Sequence, residues 1–283
     1  MFTLIEDKQD LIHLNKELLR KDYLAIDTEF RRTGKEKIKL ALMQIRDEDE
    51  IFIVDPILIG DSQNSCSFLN SVGVVKVFHS FREDIQAIKS WTKKDVINIF
   101  DTQLANAFLG GTYSISYQDL VKKELGVSIS KEETRSNWLR RPLRDSQLRY
   151  AVSDVEFLLE VYKDQVKSLN KLNRTSWLTE EIKTSSRNLS YSYEERFKNY
   201  ERKQKISKEE EKEFLRLFNT IISDISKKEE INKTLLLSKK DQKSFLKLIQ
   251  LLGKDKALKS IQNWKRELIF NQIKALISQF NFA

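Results

Sequence analysis

The chain has 283 residues, which is enough for two domains, because one domain usually takes about 100 to 200 residues. Its one cysteine, Cys66, excludes an internal disulfide, a cysteine-based zinc site and a CxxC redox pair, and such a chain fits the reducing cytoplasm. The first residues follow neither a signal-peptide nor a transit-peptide pattern, and no run of about 18 apolar residues occurs. We therefore expect no membrane association.

Positive charge is concentrated in the last third of the chain. The formal net charge is +8, and residues 181–283 contain 23 Lys and Arg against 14 Asp and Glu, whereas residues 1–180 contain 27 against 28. A polyanionic partner explains this asymmetry. The alternative is that the lysines of this region only keep the surfaces of its helices solvated.

Short apolar, β-branched runs predict five strands, at 23–27, 38–45, 51–55, 74–78 and 96–100. Apolar residues at helical spacing predict helices at 82–91, 102–109, 116–125 and 145–169. Three strands come first, and strands then alternate with helices. This order predicts an α/β fold with a mixed sheet.

The later part of the chain is organised differently. Residues 181–212 are polar and offer few apolar anchors, so we expect a partly helical linker there. Residues beyond it show helical periodicity only, which predicts a small all-α bundle. The predicted parts are thus a first domain at 1–180, a linker at 181–212 and a helical domain at 213–283.

Two acids interrupt the first predicted strand, in the sequence AIDTEF. Asp27 and Glu29 are two residues apart, and such residues on a strand project to the same face. Acidic pairs also arise by chance, as in RDEDE at 46–50, which has the composition of an exposed hairpin tip. The position inside an apolar strand distinguishes Asp27 and Glu29 as candidate metal ligands.

A third acid, Asp84, lies about one turn inside the helix predicted after the 74–78 strand. The helix dipole alone also favours an acid at this position, so a structural role is the alternative. His79, at the end of the same strand, is interpreted first as a packing or hydrogen-bonding residue rather than as a ligand.

Tyr150 and Asp154 are four residues apart in the predicted 145–169 helix and share one face. This face borders the apolar stripe of the helix, so both side chains can point at the sheet, although a tyrosine at this spacing can equally be a core residue. With the three earlier acids, the chain offers four carboxylates. Hard oxygen ligands select Mg²⁺ or Mn²⁺ over zinc.

Three segments resemble the exonuclease motifs of ribonuclease D, a DEDD-type 3′→5′ exonuclease of the ribonuclease-H-like fold. They are IDTEF at 26–30, HSFRED at 79–84 and SNWLRRPLRDSQLRYAVSDVEFLL at 136–159. The order of the motifs, their spacing and the Trp-Leu-x-Arg-Pro-Leu sequence at 138–143 all match. The resemblance covers about residues 1–175.

The resemblance implies that four acids hold two divalent metal ions, Mg²⁺ or Mn²⁺: Asp27, Glu29, Asp84 and Asp154. It implies that Tyr150 is the general base and that nucleoside 5′-monophosphates are released from the 3′ end of RNA, with transfer-RNA precursors as the expected substrate. Glu29, Trp138 and Arg141 are expected to contact the substrate.

The last part of the chain also resembles a family, through residues 231–252 and 261–280. These segments are similar to the helicase-and-RNase-D C-terminal (HRDC) domain, a helical nucleic-acid-binding bundle. Ribonuclease D typically carries two such domains, and this chain has room for one. Lys265 and Arg266 are candidate phosphate contacts, with a solvated helix face as the alternative. We expect a monomer.

Two rival functions remain open. A DNA 3′→5′ exonuclease would use the same acids, and RNA is distinguished from DNA by contacts to 2′-hydroxyls, which a sequence does not show. A nucleic-acid-binding scaffold with an inactive exonuclease fold would be indicated by loss of one acid, and all four acids are present.

Overall fold

The protein is represented by a computed structural model, which describes residues 2–34, 37–62, 65–130, 133–187, 206–261 and 263–282. In this part of the chain, no helix is both long enough and apolar enough to cross a membrane.

The described strands form one mixed sheet. They are β1 (Phe2–Ile5), β2 (Tyr23–Arg32), β3 (Ile38–Arg46), β4 (Ile51–Val54), β5 (Val75–Phe78) and β6 (Ile99–Asp101). Their order across the sheet is β1-β4-β3-β2-β5-β6. Strand β3 is antiparallel to β2 and β4, and the remaining pairs are parallel. The predicted α/β fold with a mixed sheet is confirmed.

The strands differ from the prediction at three main places: β1 is additional, β2 is longer, and β6 begins three residues later than predicted. Strand β1 and the following helix α1 (Lys8–Leu18) were not predicted, because β1 has only four residues and exposes its middle two. Strand β2 continues to Arg32 instead of ending at Asp27, because its polar second half stays paired with β3. Tertiary pairing therefore extends the strand where the composition alone ends it.

The helices that accompany the sheet are α2 (Pro56–Ile59), α3 (Arg82–Thr92), α4 (Thr102–Phe108), α5 (Tyr117–Leu125), α6 (Asp145–Glu156) and α7 (Leu158–Lys171). The single helix predicted over 145–169 is thus two helices. The break is at Phe157, whose φ is −113° and whose backbone N–H donates to the Tyr117 hydroxyl oxygen at 3.1 Å. The apolar stripe continues through the break, which is why periodicity alone does not reveal it.

The chain divides into two compact units, Met1–Ala105 with Ser114–Lys171 and Asn106–Tyr113 with Leu172–Ala283. The first unit contains the sheet. The second unit is helical, with α8 (Thr175–Arg187), α9 (Lys208–Lys228), α10 (Lys233–Leu237), α11 (Lys239–Leu252), α12 (Lys254–Ser260) and α13 (Asn263–Ser278). Its core includes Phe214, Phe218 and Ile273, all fully or almost fully buried.

Residues 106–113 belong to the second unit although they follow the last strand of the sheet. The Phe108 ring lies 5.0 Å from the Trp264 ring in an edge-to-face arrangement, and the Asn232 backbone N–H donates to the Ala107 carbonyl at 3.1 Å. The bounds predicted for the domains stay a prediction. Residues 188–205 of the predicted linker lie outside the described residues.

Candidate active site

Strand β2 presents two carboxylates to one face of the sheet. Asp27 and Glu29 alternate with Ile26 and Thr28, and in an extended strand such alternation places the two acids on the same side. Pairing with β3 on one side and β5 on the other fixes this strand in the centre of the sheet. The acids therefore stand on a rigid support.

Helix α6 brings a third carboxylate to this face. Asp154 joins Asp27 and Glu29, and one carboxylate oxygen from each lies within 4.8 Å of the others. Helix α6 packs against β2, β3 and β4, and Tyr150 lies one helical turn before Asp154. The fold thus brings the two acids of β2 together with Tyr150 and Asp154 of α6, as predicted.

The fourth predicted acid, Asp84, is held separately. It is on α3, is buried, and its Oδ1 accepts a hydrogen bond from the Thr28 hydroxyl at 2.6 Å. Thr28 projects from the face of β2 opposite to Asp27 and Glu29. Asp84 interacts electrostatically with the other three acids, but it does not belong to the cluster within 4.8 Å.

A small cavity of about 180 Å³ opens beside the three clustered acids. Its lining also contains Tyr150 and three residues of the β5 end and the start of α5, namely His79, Tyr117 and Gln118. The arrangement concentrates negative charge in a confined space. Such a space suits a cationic ligand and, with the cation, a phosphate group.

Burial raises the pKa of every acid in the site, and the charges of neighbouring acids raise it further. Burial, with the charges of Asp154 and Asp84, raises the pKa of Glu29 to about 9. Burial, with the charge of Asp84, raises the pKa of Asp154 to about 8. For Asp84, burial outweighs the hydrogen bond from Thr28 and raises the pKa to about 7, and burial raises the pKa of Asp27 well above its ordinary range.

These shifts identify the site as one that requires positive charge. Among the described ion pairs, none involves any of the four acids. Buried carboxylates are tolerated when they are paired or bind a metal. A set of carboxylate oxygens alone, without cysteine or a ligating histidine pair, matches the ligand preference of Mg²⁺ or Mn²⁺.

Tyr150 lies at the wall of the cavity with its hydroxyl 3.2 Å from the Thr134 hydroxyl. Its ring packs 6.1 Å from the Trp138 ring. Burial and the charge of Asp154 raise the pKa of Tyr150 to about 12. Without bound cations the phenol is therefore protonated at neutral pH, and the role of Tyr150 as general base stays a prediction.

Two further residues organise the cavity: His79, which the sequence indicated as a packing or hydrogen-bonding residue, and Tyr117, which sequence reasoning missed. The His79 Nε2–H donates to the Ile115 carbonyl at 2.9 Å, and its Nδ1 lies 2.9 Å from the Thr102 hydroxyl. Tyr117, the first residue of α5, accepts the Phe157 N–H at 3.1 Å. The serine N-cap at 116 gives the start of α5, but no local signal indicates that this start lies beside the acids.

Arg141, expected to contact substrate, is engaged by its own chain. Its guanidinium forms a bidentate ion pair with Asp55 and donates to the Ala41 carbonyl at 2.9 Å. Ala41 is the extra residue of a β-bulge, since Glu29 pairs with Leu42 and the next residue of β2 pairs with residue 40. Arg141 thus anchors the segment that carries Trp138 to the sheet, and its substrate contact stays a prediction.

Lys265 and Arg266, the candidate phosphate contacts, also have partners within the second unit. The Lys265 Nζ lies 3.2 Å from Glu181. The Arg266 guanidinium lies 3.8 Å above the Phe270 ring, with its Nη1 3.3 Å from the Ile261 carbonyl. Any phosphate contact by these side chains would compete with these interactions, and it stays a prediction.

Comparisons with known proteins agree with this geometry. A family model described as 3′-5′ exonuclease matches residues 2–170. Ribonuclease D of Pseudomonas paraeruginosa is 38% identical over 177 residues, which are 62% of this chain and 47% of that protein. Ribonuclease D of a Shewanella species is 33% identical over 181 residues, 64% of this chain and 47% of that protein. The resemblance inferred from the motifs is confirmed, and the chain spans about half the length of these curated relatives.

Solved structures show the same fold. The crystal structure of Escherichia coli RNase D, an exoribonuclease involved in structured RNA processing, superimposes with a TM-score of 0.65 at 20% identity and covers 99% of this chain and 75% of that one. Brucella melitensis NrnC with bound Mg²⁺ gives a TM-score of 0.56 at 24% identity and covers 66% of this chain and 90% of that one.

Proposed function

Since the chain belongs to the 3′-5′ exonuclease family, we propose that it is a 3′→5′ exoribonuclease. It hydrolyses the last phosphodiester bond of an RNA chain and releases a nucleoside 5′-monophosphate. The observation that carries this proposal is the cluster of Asp27, Glu29 and Asp154, whose oxygens lie within 4.8 Å of one another beside a small cavity.

The residues present fit two divalent cations, Mg²⁺ or Mn²⁺. Asp27, Glu29 and Asp154 would hold them in the cavity, and Asp84, fixed by Thr28, would complete the ligand set. When bound, the cations supply the charge that acidifies a water molecule and stabilises the developing charge on the phosphate and the leaving oxygen. The raised pKa values of the acids support this role, because bound cations would keep the carboxylates ionised.

Tyr150 takes a proton from the attacking water or orients it. Its hydroxyl lies at the wall of the same cavity as the clustered acids. The water oxygen forms a bond to phosphorus while the bond from phosphorus to the 3′ oxygen of the preceding nucleotide breaks. Packing of the Tyr150 ring near Trp138 fixes the direction of the hydroxyl.

RNA is the proposed polymer, and transfer-RNA precursors and other structured RNAs are the proposed substrates. The two relatives above are both named ribonuclease D, and the excess of lysine and arginine in residues 181–283 supports a polyanionic partner. We propose that the protein acts as a monomer in the cytoplasm, where its single buried cysteine stays reduced.

Incubation of the purified protein with a 3′-extended transfer RNA and a single-stranded DNA of the same sequence tests the proposal. We expect the RNA to shorten from its 3′ end, with nucleoside 5′-monophosphates as products, only when Mg²⁺ or Mn²⁺ is present. Shortening of the DNA alone would replace RNA by DNA as the substrate.

The Asp154→Asn variant is the control for a contaminating nuclease. It removes one ligand of the cluster while keeping the size of the side chain. If neither polymer is shortened by the wild-type protein with either metal ion, the proposed activity is wrong.

A further inference from the structure

A second cavity in the first unit carries positive charge. It has a volume of about 380 Å³ and is lined by Phe30, Arg31, Arg135, Ser136, Asn137 and Trp138. None of these lining residues is acidic. The two arginines face one space, so an anion in that space would be attracted to both.

The two arginines differ from their charged neighbours in being unpaired within the described residues. Arg32, beside Arg31, pairs with Glu83 at 2.6 Å, and Arg144 pairs with Glu133 at 2.6 Å. Arg31 and Arg135 are exposed and form no ion pair or hydrogen bond with any residue that the structure describes. Their guanidinium groups are therefore available to an external anion.

Two aromatic residues also line the cavity. Phe30 is half-buried, and Trp138 is 4% exposed. The Trp138 indole Nε1 is buried and has no hydrogen-bond partner among the described residues. Aromatic faces stack on nucleobases whatever the base, and arginine forks bind phosphate oxygens in pairs. The lining thus combines the two kinds of group that hold a single-stranded nucleotide.

Two segments of the chain connect the lining of this cavity to the cluster of acids. Arg31 follows Glu29 by two residues on β2, and residues on a strand rise about 3.3 Å each, so the two positions are about 7 Å apart along the strand. Arg135 follows Thr134, whose hydroxyl lies 3.2 Å from the Tyr150 hydroxyl. A strand of nucleic acid with its end at the acids would reach this cavity with a nucleotide close to that end.

We propose that this cavity binds a nucleotide on the 5′ side of the two that flank the scissile bond, with its phosphate held by Arg31 and Arg135 and its base stacked on Phe30. The inference rests on the proposed exonuclease function. It makes the protein prefer substrates long enough to place a nucleotide in the cavity over dinucleotides. It assigns no preference for a particular base.

A comparison of a dinucleotide with a single-stranded hexanucleotide RNA tests the proposal. The Arg31→Gln, Arg135→Gln double variant should lower the ratio of kcat/KM for the hexanucleotide to kcat/KM for the dinucleotide on the order of tenfold or more, because each lost charge-assisted contact weakens binding of the longer substrate. The salt dependence of hexanucleotide binding should flatten by about 0.7 in slope, as expected when one phosphate fewer is neutralised on a single strand.

Two further variants separate charge from folding. The Arg31→Lys, Arg135→Lys variant should keep the salt slope while recovering only part of the ratio, because lysine retains the charge without the fork. Arg20→Gln removes one positive charge outside the cavity, at an exposed arginine that precedes the opposite end of β2, and should leave the ratio unchanged.

The outcomes distinguish this inference from the proposed function. Wild-type protein that hydrolyses neither substrate in the presence of metal contradicts the exonuclease function itself. Wild-type activity together with a glutamine double variant whose ratio and salt slope equal those of the wild type overturns the nucleotide site alone. The same comparison with a DNA hexanucleotide applies if DNA is the polymer degraded.

Discussion

Asp154 shows how much a single carboxylate in this site depends on its neighbours. Its pKa is raised to about 8 by burial and by the charge of Asp84, and it lies in one cluster with Asp27 and Glu29. Spacing in the sequence predicts that these residues share faces of a strand and a helix. It does not give the distance between the two faces, which depends on how α6 packs on the sheet.

Asp154→Asn is expected to abolish turnover and weaken Mn²⁺ binding without destabilising the metal-free fold. The amide keeps the shape of the side chain and removes one charge from a group of repelling acids, so the melting temperature in a chelator should hold or rise. Asp27→Asn should have the same effects on turnover, Mn²⁺ binding and melting temperature. Calorimetric titration with Mn²⁺, thermal melting and the exonuclease assay measure the three effects.

Asp145→Asn is the matched control, because Asp145 is exposed on the same helix and lies outside the cavity. It should retain both turnover and metal affinity. An Asp154→Asn protein that degrades RNA at the wild-type rate would remove Asp154 from the site.

Tyr150→Phe is expected to lower kcat on the order of 100-fold or more, as is typical when a group that positions or transfers a proton is lost. The ring stays against Trp138, so metal and RNA affinity should persist. Single-turnover kinetics and equilibrium binding separate the two effects. Tyr162→Phe is the control, because Tyr162 lies on α7 and outside the cavity. If Tyr150→Phe lowers RNA binding as much as it lowers the rate, Tyr150 is a packing residue.

The stability of the metal-free protein should fall as the pH rises from about 4 to about 9. The folded-state pKa values of Glu29 and Asp154 are about 9 and about 8, whereas unfolded carboxyls titrate near pH 4. Between these values the folded protein binds more protons than the unfolded chain, so the free energy of unfolding decreases with pH. Urea denaturation in a chelator at several pH values measures this slope.

Added Mg²⁺ or Mn²⁺ should reduce the loss of stability, because the cation binds the ionised carboxylates of the folded state only. Asp154→Asn should flatten the slope without metal. A slope that is the same in the variant and the wild type would mean that other groups cause the pH dependence.

At the scale of elements, strands and helices with strong periodicity could be predicted, and their ends could not. Helix α3 begins and ends within one residue of its predicted bounds. Strand β2 runs five residues beyond its predicted end because the ladder with β3 continues through Thr28 to Arg32. The break between α6 and α7 depends on the side chain of Tyr117, about 40 residues earlier in the chain. Long-range contacts of this kind leave no local pattern.

Tyr117→Phe tests whether this break positions Asp154. The substitution keeps the ring and removes the hydroxyl oxygen that accepts the Phe157 N–H, which then keeps only the Val155 carbonyl as an acceptor. We expect a cost of about 1 kcal/mol, as is typical for the loss of one hydrogen bond. Because Asp154 lies three residues before Phe157 in α6, we expect weaker Mn²⁺ binding as well as a lower melting temperature. Unchanged Mn²⁺ affinity in a folded variant would limit Tyr117 to packing.

At the scale of the whole molecule, the sequence predicts where positive charge accumulates but not which side chains remain available. Lys265 and Arg266 look like phosphate contacts in the sequence, yet Glu181 and two backbone carbonyls already engage them. Arg31 and Arg135 have no such partners among the described residues, and no pattern in the sequence marks them as candidate phosphate contacts. Whether a basic side chain can bind phosphate depends on its neighbours in the folded protein, and a count of charges in the sequence does not show these neighbours.

Truncation is a poor test of the charge in the second unit. Residues 106–113 belong to that unit, and deletion of residues beyond 205 would expose Phe108, which packs against Trp264. A loss of RNA binding could then follow from misfolding. Substitution of exposed lysines avoids this difficulty.

Helix α11 begins with three exposed lysines, Lys239, Lys240 and Lys243. Lysine at a helix N-terminus opposes the helix dipole, so these residues do not stabilise the helix, and glutamine should preserve it. We expect the triple glutamine variant to bind a long transfer-RNA precursor more weakly and with a salt slope flatter by about 2, if all three lysines neutralise phosphates. Filter binding over a range of salt concentrations measures both quantities.

The matched control replaces three exposed lysines of the first unit by glutamine, at Lys8, Lys16 and Lys171. It changes the net charge by the same amount, so a general loss of attraction would appear equally in both variants. A weaker and less salt-dependent complex in the α11 variant alone would place the phosphate contacts on that helix. Unchanged affinity and slope in the α11 variant would mean that its lysines only solvate the surface, and the excess charge of residues 181–283 would need another explanation.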